Sequence, residues 1–555
     1  SKTIYLYFRP SCAQVYMLQT TAPACRGSRC FCSENNLTLS MISLRKVKSI
    51  AALALLASTL FSCQNTQQQV DQREYDLLIQ KAMVVDGTGE EPYFASLLIS
   101  GDSIARIDKD TAASYIAKRK INANGMAVTP GFIDTHAHGN PMKTPEFRNF
   151  LAMGVTTIFL GQDGTSPYFE DMQVWMDSVE LTKPAVNVGM FAGHNTLRMM
   201  SGAKYDSIPS ETHMANMERL LAHAMDAGCY GMTTGLEYNP GYYAQSEELN
   251  RLAKVVGEKK GMIMSHMRNE DDQFVEASIK ELLVQGKYCP VHVSHIKVVY
   301  GKDKARAHEI LQLLDSARTS GTKVTADFYP YTASYTTIGI LFPEWAKQPY
   351  DYSQVVRTRR NELATYLRNR VNLRNGPEAT LIGSGKYKGK NLAQLSKELN
   401  KPFEDVLIDN INPYGAEGAY FIMNDSLQEE FLKDPHVMIC TDGSPTMSHP
   451  RSFGSFAKII ETYVVNKKLL TLQEAVRKMT GLSAETLGVE KRGFIREGYK
   501  ADILVFDPKA VKEHATFDNP MQLSTGFQFI LVNGKVVKEG EQYDDNRYGE
   551  MLRKR

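Results

Sequence analysis

From residue 126 to residue 441 one pattern recurs: a short apolar, β-branched run, then a stretch of helical spacing. The runs fall at 126–133, 155–160, 186–192, 232–236, 262–266, 291–296, 324–328 and 437–441. Helix-like stretches stand at 211–227, 247–259, 270–284 and 304–318. Strands that alternate with helices pair in parallel, because each crossover returns the chain to the same end of the sheet. Eight of them predict an α/β fold, a (β/α)8 TIM-like barrel. The long gap between the seventh and eighth runs predicts an insertion at about 335–435, with helices at 352–370 and 391–400.

β-like runs bracket this middle. Those at 76–85, 95–100 and 103–108 precede it; those at 501–506 and 528–537 follow, the last turning at Asn533-Gly534. The organisation expected is a small flanking β domain built from 75–129 and 490–545 around a barrel at 130–489.

Composition excludes some classes. With 43% hydrophobic and 23% charged residues the chain can bury a large core, so bulk disorder is ruled out. Lys plus Arg total 64 against 62 for Asp plus Glu, without the basic excess of a nucleic-acid binder. Of eight cysteines, Cys12, Cys25, Cys30 and Cys32 crowd the start; Cys63, Cys229, Cys289 and Cys440 are too few for a disulfide scaffold.

The beginning reads as an address. Residues 1–40 carry neither period and are expected to be an upstream or non-native extension. After Met41, the basic Arg45, Lys46 and Lys48 lead into an apolar run at 50–60, too short to span a bilayer at ~1.5 Å per helical residue. Residues 41–62 therefore read as a secretory signal. Its end, Leu60-Phe61-Ser62-Cys63, resembles a bacterial lipoprotein signal. That resemblance implies a lipid on Cys63, a polar tether at 63–74, and a lipid-anchored place in the bacterial cell envelope, on its periplasmic or cell-surface face. Membrane contact is expected through that anchor alone.

In such barrels the chemistry sits at the carboxyl ends of the strands. His136 and His138 follow the first strand, and alternation along extended chain lets both imidazoles reach one metal. Asp163 lies past the second strand, Tyr238 past the fourth, and Asp442 ends the eighth. His266 ends the fifth, and His295 with Lys297 ends the sixth. A lone histidine is more often structural than a ligand; several at the ends of separate strands point to metal-assisted hydrolysis. His292, at odd spacing from His295, is expected to be structural, and His194 to orient its own loop as readily as to act.

Pro130-Gly131-Phe132-Ile133-Asp134-Thr135-His136-Ala137-His138 resembles the amidohydrolase superfamily. Further motifs narrow the resemblance to the D-aminoacylases, the N-acyl-D-amino-acid deacylases. They include Gly193-His194-Asn195-Thr196, Thr234-Gly235-Leu236-Glu237-Tyr238-Asn239-Pro240-Gly241, Ser265-His266-Met267-Arg268-Asn269-Glu270, Ser294-His295-Ile296-Lys297 and His449-Pro450-Arg451. The resemblance implies hydrolysis of N-acyl-D-amino acids with one or two Zn2+ ions, or another divalent metal. It makes His136 and His138 ligands of one metal, His266 and His295 ligands of the other, and Asp442 the general acid/base. Tyr238, Lys297 and Arg451 would hold the substrate carboxylate. One departure stands out: the family often carries Gly-Asn-Cys-Gly after the second strand, where this chain has Gly161-Gln162-Asp163-Gly164, so Asp163 is expected to replace a thiolate.

Two alternatives remain at this level. A hydantoinase- or dihydroorotase-like enzyme would usually carry a modified lysine on the fourth strand, and 232–236 has none. A catalytically inactive surface-binding lipoprotein would be favoured by lost ligand positions. The stretch 333–341 resembles the region that reads the side chain in this family, and because it contains no Lys or Arg, that resemblance implies neutral or apolar D-residues over D-Asp or D-Glu.

Overall fold

The computed structural model describes residues 73–111 and 113–555; the extension at 1–40, the signal at 41–62, Cys63 and the tether up to residue 72 lie outside the described residues. Five strands open the described chain: β1 (Glu74–Val84), β2 (Tyr93–Ser100), β3 (Ser103–Asp108), β4 (Ile116–Asn122) and β5 (Ala127–Pro130). Eight follow: β6 (Phe132–Asp134), β7 (Val155–Leu160), β8 (Asn187–Met190), β9 (Ala192–Gly193), β10 (Gly231–Gly235), β11 (Met262–His266), β12 (Val291–Val293) and β13 (Val324–Phe328). Next come β14 (Ala333–Thr337), β15 (Thr380–Ile382), β16 (Glu417–Phe421) and β17 (Val437–Ile439). The last are β18 (Ile503–Phe506), β19 (Phe527–Val532), β20 (Lys535–Glu539) and β21 (Gln542–Tyr543).

The barrel consists of β6 through β13 with β17, all neighbours parallel. Every residue of β7, β10 and β11 is buried, as expected for strands covered on both faces. Amphipathic helices supply the outer cover: Ser246–Glu258 turns Leu249, Leu252, Ala253 and Val256 inward. Closure between the first and last strands rests on a parallel bridge, Ala137 to Gly443, and on the Asp442 amide donating to the His136 carbonyl at 2.8 Å.

Both chain ends meet in one nine-stranded sheet ordered β21-β20-β19-β18-β5-β1-β2-β3, with β4 beside β1. The seam is the antiparallel pair β5–β18, in register from Ile503 opposite Pro130 to Phe506 opposite Ala127. Phe132, at the start of the barrel, stacks on Phe456 at 5.7 Å and meets Phe506 and Phe527 of the sheet edge-on.

The structure corrects several expectations. The run 126–133 is two strands in two sheets, β5 and β6, broken at Gly131, where a Cβ would lie 2.1 Å from the Thr156 hydroxyl. The run 186–192 is likewise split: β8 pairs with β7, and β9 with β10. On its other side β8 takes the chain's last residues, the Val188 amide donating to the Glu550 carbonyl (2.9 Å) and the Leu552 amide to the Val188 carbonyl (2.8 Å). The helix expected at 270–284 begins at Val275. The insertion is not only helical, for β14, β16 and β15 form a three-stranded antiparallel sheet against the helices Tyr352–Leu373 and Leu392–Leu399. No helix among the described residues is long and apolar enough to cross a membrane.

Candidate active site

The strand ends deliver their polar residues to one point. His136 Nε2 lies 3.3 Å and His138 Nε2 3.4 Å from the Asp163 carboxylate. His295 Nε2 lies 3.2 Å and His266 Nδ1 3.6 Å from the same carboxylate. Asp442 closes the other side, 3.1 Å from His138 and 3.7 Å from His136. These groups make two overlapping sets, His136/His138/Asp163/Asp442 and Asp163/His266/His295, each with its ligand atoms within 4.8 Å of one another.

The backbone bends to achieve this. Asp163, His295 and Asp442 all sit in the left-handed region, at φ 53°, 37° and 49°. Such conformations cost non-glycine residues on the order of 1–3 kcal/mol each and persist only where the surroundings impose them. For His295 the restraint is Asp327, whose carboxylate accepts from its amide at 2.5 Å, from Thr135 at 2.6 Å, and lies 3.0 Å from His292. Asp134 does the same across the barrel's closure, accepting from the Thr441 amide (3.0 Å) and hydroxyl (2.6 Å). Burial pushes Asp134 up to about 7, against those hydrogen bonds. Sequence reasoning missed both carboxylates, although a carboxylate at the end of an otherwise apolar run was a usable signal.

The electrostatics describe a place for positive charge. Burial opposes ionisation of Asp163, but His136 and His295 outweigh it and hold the carboxyl well below the usual range. Burial opposes charge on His138 too, yet Asp163 and Asp442 push it up to about 10; His266 rises to about 10 mainly through Glu270 and Asp163. His136, fully buried, has no hydrogen-bond partner on either ring nitrogen. Imidazoles and carboxylates are the donors that borderline divalent metals take, so this set fits a metal.

The expected carboxylate-holding residues surround the centre but are already engaged. Arg451 Nη1 lies 2.8 Å from Asp442 Oδ2, its Nη2 donates to the Tyr335 carbonyl at 3.2 Å, and its buried Nε has no partner. Lys297 Nζ is 2.7 Å from Glu270 and 2.7 Å from His295 Nδ1. The Tyr238 ring packs on His266, centroids 4.5 Å apart. Two residues quoted only within motifs prove to matter: Glu237 bonds His266 Nε2 at 3.2 Å, and Glu270 pairs with Lys297.

An open cavity of about 850 Å3 leads to the centre, lined by His138, Asp163, Tyr238, Asp442 and Arg451 and roofed by insertion residues such as Gly339, Ser384 and Ala416. A pocket of only about 20 Å3 beside it is lined by Lys297, Tyr329, Tyr335, Arg451 and, from the insertion, Arg374. Arg374 is buried with its Nε unpartnered and lies 3.9 Å from Asp271, which already holds Arg370 at 2.7 Å. The stretch 333–341 alone had indicated a pocket without cations; the cation arrives from the end of a helix some thirty residues on.

Other histidines stand apart. His194 bonds Glu248 at 2.6 Å, which also takes Arg198 at 2.6 Å. His292 is buried against Asp327 and Thr325. His449 donates to the Ala333 carbonyl and accepts from the Arg451 amide, fixing the turn that presents Arg451.

A parallel eight-stranded barrel with four imidazoles around one carboxylate at its carboxyl ends defines a metal-dependent hydrolase of the amidohydrolase type. The pattern described as "Amidohydrolase family" matches residues 419–538. The N-acyl-D-glutamate deacylase of Alcaligenes xylosoxydans xylosoxydans is 33% identical over 492 residues, covering 84% of this chain and 94% of that protein. The crystal structure of the N-acyl-D-glutamate deacylase from Bordetella bronchiseptica, complexed with zinc and a phosphonate inhibitor, superposes with a TM-score of 0.76 at 30% identity, over 87% of this chain and all of that one. A D-aminoacylase studied for its binuclear metal centre gives 0.75 at 28% identity, over 86% of this chain and all of that one. The chain belongs to the D-aminoacylase family of amidohydrolases. An L-hydantoinase from Arthrobacter aurescens shares only the fold, at 15% identity and a TM-score of 0.52 over 86% of this chain and all of that one.

Proposed function

We propose that this enzyme hydrolyses the amide bond of N-acyl-D-amino acids, releasing a carboxylic acid and a D-amino acid. The observation that carries the reading is Asp163 facing four imidazoles from three strands, with Asp442 opposite. His136, His138 and Asp163 would hold one metal, and Asp163, His266 and His295 the other, with Zn2+ the proposed ion. A divalent ion held there would supply Lewis acidity toward the amide carbonyl and would lower the pKa of a bound water.

The chain's own residues do the rest. Asp442 Oδ1 faces the centre while Arg451 holds Oδ2, so Oδ1 is placed to take a proton from water and deliver it to the leaving nitrogen. Arg451, with Lys297 and Tyr238, supplies positive charge and a hydroxyl for the substrate carboxylate. With Arg374 lining the adjoining pocket, we rank acidic D-residues ahead of the neutral or apolar ones expected from 333–341, and the comparison of glutamate with leucine substrates decides between the two. The hydantoinase alternative is disfavoured by a fourth strand, β10, without lysine, and the inactive-binder alternative by donor residues retained at or just past the ends of β6, β7, β11, β12 and β17.

Metal analysis of the purified protein, with N-acetyl-D- and N-acetyl-L- forms of leucine and glutamate, tests the reading. Bound divalent metal and turnover of the D-forms are expected, N-acetyl-D-glutamate ahead of N-acetyl-D-leucine. Turnover restricted to cyclic amides would refute it. We extend the proposal to a lipid anchor at Cys63 and an envelope location, which mass spectrometry of the mature N-terminus checks.

A further inference from the structure

The amino-acid end of the cleft is crowded with charge: Glu237, Glu417, Asp442, Lys347 and Arg451 all line it. A second cavity of about 430 Å3 opens on the opposite side of His138, between the loops after β6 and β7. No Asp, Glu, Lys or Arg lines it; Met142, Leu160, Pro167, Tyr168, Phe169, Trp175 and Met190 make its apolar wall, with Asn140, Thr165, Ser166 and His138 as the polar remainder. Three of these expose apolar surface that a folded chain ordinarily hides: Tyr168 is 64%, Phe169 40% and Met142 38% exposed. Trp175, by contrast, is buried and forms part of the wall from the helix Met172–Thr182.

The two cavities share His138 and Thr165 in their linings, so the second opens beside the reacting centre. An amide carbonyl carbon carries two substituents, the nitrogen of the amino acid and the acyl chain. With the amino acid held among the charges, the acyl chain has the apolar cavity as its exit. The volume falls within the ~300–1,000 Å3 of small-molecule sites, far more than a methyl group fills.

We infer that this cavity is an acyl-chain subsite and that the preferred substrates carry medium or long unbranched acyl groups rather than acetyl. The inference rests on the proposed deacylase reading and names the acyl half of its substrate. Each methylene buried there should raise kcat/KM about fourfold, until the chain emerges past Tyr168.

The test is a chain-length series, acetyl to decanoyl, on D-leucine and on D-glutamate, with a binding measurement that does not require turnover. The chain has two tryptophans, Trp175 and Trp345, so Trp345→Phe leaves Trp175 as the reporter. kcat/KM should climb at least tenfold from acetyl to octanoyl, and decanoate should change Trp175 emission saturably where acetate at equal concentration does not. Phe169→Glu, at an exposed loop position, should flatten the slope of log kcat/KM against chain length. A flat series in the wild type overturns the inference and leaves the deacylase reading standing, as does Trp175 emission unmoved by decanoate. Inactivity toward every N-acyl-D-amino acid would refute both.

Discussion

Two buried polar clusters sit on this barrel, and they differ in how their charges are matched. Around Glu248, one carboxylate meets one arginine and one imidazole, one on each oxygen and each at 2.6 Å. Around Asp163, one carboxylate meets four imidazoles at 3.2–3.6 Å, and none of those contacts is as short. In the first, both carboxylate oxygens are matched one to one, and the buried His194 Nδ1 is left without a partner; in the second, one carboxylate is shared among four imidazoles, with both nitrogens of His136 unpartnered. Burial of histidine is common to both, so burial alone separates nothing. Matching of partners does.

Changing each cluster in turn tests that contrast. Asp442→Asn should leave metal bound and lower kcat by about 10²–10⁴ in steady-state assays, because the proton carrier is lost and the shape is kept. Turnover within tenfold of wild type would remove Asp442 from that role. Glu248→Ala should instead cost about 3–5 kcal/mol of stability in denaturant unfolding, since Arg198 and His194 are left buried without a counter-charge. Metal content and kcat per folded molecule should stay near wild type. Asp163→Ala should weaken metal binding by about 100-fold or more by chelator competition, beyond the 10–100-fold of losing an outer partner. Unchanged stoichiometry and affinity would mark Asp163 as a turn residue and erase the contrast.

The smallest effect concerns acid. Burial pushes the Glu248 carboxyl up, but the hydrogen bond and charge of His194, with Arg198, bring it below its ordinary 4.5. A depressed folded value means the stabilisation is complete above the ordinary carboxylate range and fades as pH falls through the folded value. The stability gap between wild type and Glu248→Gln should therefore be constant near neutrality and narrow below about pH 4.5. A gap that widens on acidification would contradict the pairing.

Much of this was legible before the fold was known. Apolar β-branched runs marked the barrel strands, and the polar residues closing the first, second, fifth, sixth and eighth marked the site, because a buried strand admits such residues only for a reason. What failed did so for physical causes. Runs 126–133 and 186–192 are each mostly apolar, and reading each as one strand passed over Pro130-Gly131, where the chain changes sheets, and Asn187 and Gly189, next to the change of partner at Phe191. Strand β4, Ile-Ala-Lys-Arg-Lys-Ile-Asn, is mostly exposed and carries the charges of a sheet edge, so it lacks the signal of a buried strand. The engagement of Arg451 with Asp442, and the arrival of Arg374, depend on where loops return, which spacing does not encode.

The pairing of β5 with β18 sets a timetable for translation. Residues 130 and 503 are neighbours in the sheet, yet the ribosome makes them about 20–75 s apart at 5–20 residues per second. Throughout that interval the nascent chain carries an unpaired edge at β5, open to whatever strand arrives first. Prematurely terminated products ending before residue 503 keep that edge for good, and should be recovered in the insoluble fraction or cleared by proteases rather than as active barrels.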